Sequence, residues 1–136
     1  MATSTYLSNP VVTVNSVALT GWCTAATLER TNTAQDTTVF GNTARLYSAT
    51  IEDNTLTLTL FMSYAASEVY ATLATLVGTA TTVTVKPTSA AVGATNPTFT
   101  LTNTYLETLP VINATLGEIA SIDITFRGGT YTAPIV

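Results

Sequence analysis

At 136 residues and net charge −4, the chain is long enough for one domain with a real core, and its four scattered basic residues (Arg30, Arg45, Lys86, Arg127) argue against tight phosphate neutralisation. Only 9% of residues are charged and roughly a quarter are threonine, a composition that favours β structure and leaves a surface poorly solvated by charge, of the kind that tends to be covered. One cysteine and no histidine exclude a disulfide framework, a multi-cysteine metal site and every histidine-based triad or zinc site.

The opening "MATSTYLSNP" has neither a charged n-region nor an apolar h-region, so no signal peptide is expected, and no run approaches a membrane span. Residues 10–14 read as a short strand, with "VNSV" a tight turn into "ALTGW". Residues 25–30 form a second strand candidate with Leu28 inward. Cys23, beside Trp22, reads as a small buried apolar residue.

The stretch "TNTAQDTTVFGNTARLY" has weak periodicity and is read as a long excursion over 31–48, with a partly formed strand near 37–40. Long ordered loops in small domains are more often functional than accidental. Residues 48–62 carry the strongest strand pattern, interrupted near "EDN". In "NTLTLTLF", Leu56, Leu58 and Leu60 share one face and Thr55, Thr57 and Thr59 the other. The leucine face covers a core; the threonine face is uncharged and calls for a partner.

In "YAASEVYATLATLVG", Val69, Leu73, Leu76 and Val77 fall at i, i+4, i+7 and i+8, predicting one amphipathic helix capped by Ser63 and ended by Gly78. "TTVTVKP" resumes the strands, with Val83 and Val85 on one face, and "TSAAVGATNP" is a loop or hairpin tip. "TFTLTNTYLETL" predicts Phe99, Leu101 and Tyr105 on one side and Thr98, Thr100, Thr102 and Thr104 on the other. "EIASIDITFRGG" places Ala120, Ile122, Ile124 and Phe126 inward. The tail, residues 130–136, has no period and is expected to be flexible or docked on a neighbour. The elements sum to a mainly β chain: a single domain over 1–136, an antiparallel β-sandwich or barrel with one flanking α-helix.

Catalysis finds no support. Glu52 and Asp53 are adjacent and suit a turn or solvation better than a paired-carboxylate site. Glu68 suits the helix dipole, and Glu107 and Glu118 fall beside strand ends. There is no Gly-rich phosphate loop. No catalytic, cofactor-binding or metal residue is assigned, and no cofactor is expected. The aromatic residues Phe40, Tyr47, Phe61, Tyr64, Tyr70, Phe99, Tyr105 and Phe126 are assigned by default to core packing. Uncharged strand faces and unprotected edges point instead to association.

The pieces "VTVNSVALTGWCTAATLE", "DTTVFGNTARLY", "TLTLTLFMSYAASEVYATLATLVGTATTVTVKPTSAAVGATNPTFT" and "LPVINATLGEIASIDITFRGG" span most of the chain. In that order they resemble the major tail tube protein of long-tailed, non-contractile bacteriophages. The resemblance implies a β-sandwich with a flanking helix, six-membered rings whose inner sheets join into one barrel, and rings stacked into a tube that passes DNA during ejection. It implies that the 31–48 loop reaches a neighbouring subunit or ring, with Val39, Phe40, Gly41 and Arg45 in the motif there. Thr55, Thr57 and Thr59 would face the lumen or a neighbour.

The partners so implied are further copies of the chain, the tape measure, tail terminator and tail tip proteins, and DNA in transient passage, without stable membrane binding. The implied location is the virion tail, assembled in the host bacterial cytoplasm. Six copies at −4 each carry a formal −24 per ring, and some of Asp36, Glu52, Asp53, Glu107, Glu118 and Asp123 are expected to line a lumen that repels phosphate. The competing class is a monomeric or dimeric β-sandwich binding module of an adhesin, decoration or carbohydrate-binding protein.

Overall fold

A computed structural model describes residues 10–93 and 96–133. The opening nine residues, part of the "GAT" in the hairpin tip and the last three residues of the tail lie outside the described residues.

The first strand, β1 (Val11–Val14), turns through Asn15 and Ser16, both at positive φ, into the two-residue β2 (Val17–Ala18). Two successive left-handed residues make the kind of turn that matches the twist of a two-residue hairpin. β3 (Cys23–Glu29) follows, then a separate two-stranded hairpin of β4 (Asn32–Asp36) and β5 (Tyr47–Glu52). The alternating segment becomes β6 (Thr55–Phe61), with Leu56, Leu58 and Leu60 buried.

After the helix α1 (Val69–Leu73) come β7 (Ala80–Lys86), β8 (Phe99–Leu106), β9 (Ser121–Arg127) and β10 (Thr130–Thr132). Among the described residues, eight strands form one antiparallel sheet in the order β2-β1-β7-β8-β9-β6-β3, with β10 also on β8. Side chains from both halves of this sheet share one buried cluster: Val12, Val14, Val83 and Leu101 with Leu58, Ile122, Ile124 and Phe126. The sheet therefore curls over its own core, and Val69, Leu73 and Leu76 cover it. The fold is mainly β, as the sequence predicts.

Four expectations need correction. The helix is shorter than predicted: Glu68, not Ser63, is its N-cap, and it ends at Ala74. Ser63 instead bonds the Glu68 carboxylate through its hydroxyl and accepts the Tyr70 N–H at 2.9 Å through its carbonyl. Beyond Ala74 the chain continues in tighter turns that still bury Leu76 but leave Val77 exposed, bridged to Leu106.

The second correction concerns β8. Leu101, Thr104 and Leu106 are buried while Tyr105 is exposed. Asn103 adopts φ +64°, and the register with β7 slips between Thr81 and Val83. One extra residue reverses the alternation beyond it. Third, of the aromatics assigned to the core only Phe126 is fully buried; Phe40, Tyr47, Phe61, Tyr64 and Tyr105 are exposed. Fourth, the tail is not aperiodic throughout: Thr130–Thr132 pairs with Thr100–Thr102 of its own β8.

β9 and β10 run along β8 in one register, interrupted by Gly128 and Gly129 at φ +72° and +89°. A Cβ on Gly129 would lie 2.7 Å from the Thr102 carbonyl oxygen, so only glycine passes there. The kink is held by Asn54, wholly buried, whose carbonyl accepts the Gly128 N–H at 2.8 Å. The Asn54 side-chain amide donates to the Gly129 carbonyl and to Glu52 Oε2, both at 3.1 Å.

Candidate functional site

The segment read as a loop over 31–48 is a β-arm. Its strand is Asn32–Asp36, not residues 37–40, and it pairs with β5 from Asn32↔Glu52 to Asp36↔Tyr47. The residues of β4 are all exposed, as are those of β5 up to Ile51. No core lies under the arm, so neither strand shows the alternation that marks burial on one face.

At the tip, Val39–Asn42 forms a turn closed by Asn42 N–H to Val39 O at 3.3 Å and Val39 N–H to Asn42 Oδ1 at 2.9 Å. Gly41 supplies the φ of +92° that the third position of such a turn requires. Phe40, beside it, is held fully in solvent at 106% relative exposure.

Arg45 Nη1 reaches Asp36 Oδ2 at 2.8 Å across the two limbs. The Thr38 hydroxyl and N–H, with Arg45 beyond them, hold the Asp36 carboxyl below the usual carboxylate range. The structure thus brings Val39, Phe40 and Arg45 together, with Thr38, around an open hollow of about 480 Å³, while Gly41 shapes the adjoining turn.

The arm base is clamped. Arg30, leaving β3, pairs with Glu52 at 3.2 Å and lies 4.5 Å over the Tyr131 ring of β10. The Asn54 amide, then Arg30, lower the Glu52 carboxyl below its ordinary value. Two more bonds, Thr50 N–H to Asn32 Oδ1 at 3.0 Å and the Thr50 hydroxyl to the Thr33 carbonyl at 2.8 Å, tie the limbs together.

Thr55, Thr57 and Thr59 lie half-buried on the face of β6 away from the core. Their neighbours across β3 and β9 are Glu29 and Arg127, Thr27 and Thr125, and Ala25 and Asp123. The Thr59 hydroxyl donates to Asp123 Oδ1 at 2.7 Å. The threonine face is therefore a separate surface from the arm tip. Cys23 is half-buried against the core, and burial pushes its thiol up.

Sequence reasoning missed a second apolar surface. Between β8 and β9, Val111, Ile112, Leu116 and Ile119 are all exposed. The signal was present in "LPVINATLGEIA": large apolar residues with neither period, so no face on which to bury them. The segment is anchored by the Tyr64 hydroxyl to the Val111 carbonyl at 2.7 Å and the Asn113 amide to the Ser121 carbonyl at 2.8 Å. Among the described residues, no group of three or more acids, cysteines or histidines is placed to hold a metal.

No family model and no curated protein matches the chain. Solved structures do match in fold. A chain of an extracellular contractile injection system, described as PVC sheath/tube terminator in the extended state, superposes with TM-score 0.71 at 12% identity, covering 98% of each chain. One from the virion of a native gene transfer agent particle gives TM-score 0.68 at 9% identity, covering 96% of this chain and 99% of that one. A third, from the PVC sheath-tube complex, gives 0.66 at 14%, covering 98% and 93%. These likenesses establish a shared fold over nearly the whole chain. They include contractile systems, so the fold does not single out the non-contractile type. None of these structures is described as an enzyme.

Proposed function

We propose that this chain is a tail tube subunit of the kind found in long-tailed, non-contractile bacteriophages: six copies close a ring, rings stack, and DNA passes through the lumen during ejection. The observation that carries this reading is the arm, a two-stranded hairpin exposed along its length and tipped by Val39 and Phe40. An isolated hairpin is marginal in water, and an exposed apolar tip has no use to a monomer. On a fold shared with chains of a gene transfer agent virion and of sheath-tube assemblies, the arm suits contact with another subunit.

Val39, Phe40, Gly41 and Arg45 serve in that contact. Thr55, Thr57 and Thr59 face the lumen or a neighbour, where hydroxyls bond water without gripping phosphate. The −4 of each copy gives a lumen that repels DNA if its acids point inward. The partners are further copies, the tape measure, terminator and tip proteins, and DNA in passage. The location is the virion tail, assembled in the host cytoplasm.

Negative-stain microscopy of the purified chain tests the reading, with rings or tubes of uniform diameter expected. A chain that stays monomeric at high concentration, with a tail initiator complex supplied, would sink it in favour of a binding module. An assembled-tube structure with every acid on the outer wall would remove the electrostatic account alone.

A further inference from the structure

The two exposed apolar surfaces sit at opposite ends of the same strands. β6 begins at Thr55, paired with Glu29 and Arg127 beside the arm base, and ends at Phe61, paired with Ser121. The 107–120 segment leaves β8 beside Phe126 and Arg127, and its later part is tied to that far end: Asn113 bonds the Ser121 carbonyl, and the Ala120 carbonyl accepts the Met62 N–H at 2.9 Å. Seven strand residues, about 20 Å, separate the two ends.

At the far end the chain makes a tight turn, closed by Glu118 N–H to Thr115 O at 3.0 Å, with Gly117 at φ +86°. Leu116 stands at its apex at 103% relative exposure, a short apolar knob. At the arm end is the open hollow of Thr38, Val39, Phe40 and Arg45. The charges match as well as the shapes. Residues 109–120 carry Glu118 and no base, while Glu107 is already paired with Arg127 at 3.8 Å. Arg45, with 71% of its side chain exposed, keeps guanidinium donors beyond the one on Asp36. Glu118 makes no ion pair among the described residues.

We infer that the arm tip of one copy receives the 115–118 turn of the next copy along the tube axis, Leu116 seating against Val39 and Phe40 while Glu118 pairs with Arg45. Such a contact is heterologous, joining unlike ends, and so propagates without closing on itself. The inference rests on the tube reading, for which it names the receiving surface.

The test uses the full chain in a Cys23→Ser background. Val39→Cys and Leu116→Cys subunits are mixed, assembled and oxidised; a covalent dimer is expected from the mixture and from neither variant alone. In parallel, Leu116→Asp should leave the circular dichroism spectrum unchanged and permit single rings. It should also raise the concentration needed for tubes by roughly tenfold or more. Glu118→Lys should raise it less.

Wild-type tubes with no mixed dimer, or with Leu116→Asp stacking as readily as wild type, would overturn the inference and leave the tube reading intact. Loss of the rings themselves in Leu116→Asp would place the contact within a ring, which also overturns it. Wild type that never assembles would remove the tube reading and this inference together.

Discussion

Single residues decide where this sheet turns. Gly129 passes under the Thr102 carbonyl with no room for a Cβ, and its φ of +89° strains any other residue. Gly128, at φ +72°, has open space around it. Gly129→Ala should therefore cost about 3 kcal/mol or more, from clash and strain together, and Gly128→Ala about 1–2 kcal/mol from strain alone. Urea unfolding midpoints of the two variants would check the order, and equal losses would refute the steric account.

The pair "GG" was legible as a strand end but not as a crossing, because the partner that crowds it, Thr102, lies far back in the sequence. Asn54 was equally opaque. In "EDN" it reads as a turn residue, whereas the fold buries it completely, and only the tertiary pairing of β6 with β9 brings the glycines to its amide. Strict alternation puts Asn103 on the side of Phe99, Leu101 and Tyr105, yet its left-handed φ inverts every assignment after it.

At the scale of elements, the strands with a core beneath them could be read and the arm could not. β6 and β9 alternate because water lies on one face and leucine or isoleucine on the other. β4 and β5 meet water on both faces, so nothing imposes a period on them. The same fact makes the arm separable. Replacing residues 33–51 by a short Gly-Ser link should shift the melting temperature of the body by only a few degrees, because no buried apolar area is lost. Assembly should be abolished. Scanning calorimetry and electron microscopy read the two effects, and collapse of the body would show that the arm supports it.

The arm should also loosen in acid. Asp36 and Glu52 both titrate below their ordinary values in the folded chain. Their contribution is therefore present above the unfolded carboxylate range and is lost as the pH falls through the lower folded values, below about pH 4. Both pairs are exposed, so the expected sign is loss of arm order before loss of the body. Amide exchange of β4 and β5 against that of β6, followed from pH 6 to pH 3, would measure it. Simultaneous loss in both would contradict the local origin.

For the molecule as a whole, composition reported a surface short of charge, and the structure shows where large apolar side chains meet water instead: above all the arm, with Val39, Phe40, Leu46, Tyr47 and Ile51, and the 107–120 segment, with Val111, Ile112, Leu116 and Ile119. The sum was readable and the map was not, since position on a surface follows from strand order, which a single sequence does not display. Fourteen large apolar residues are exposed among the described residues. Free subunits should accordingly bind a hydrophobic dye such as ANS and lose most of that signal on assembly. Equal fluorescence per subunit in both states would mean that these residues stay in water.

The order in which the elements leave the ribosome adds a last consequence. The arm is complete by residue 52, but β6 waits for β9, nearly seventy residues later, to gain its second neighbour, and the first half of β8 waits for β10. A translation product halted before Ser121 would own a grasping hook and an unfinished trunk. Because both flanks of the trunk are completed by one late stretch folded around a pair of glycines, such a fragment lacks a body to present to its neighbours. In the proposed tube, chain order would thereby act as a proofreading step, keeping broken pieces out of a polymer in which each piece must carry the next.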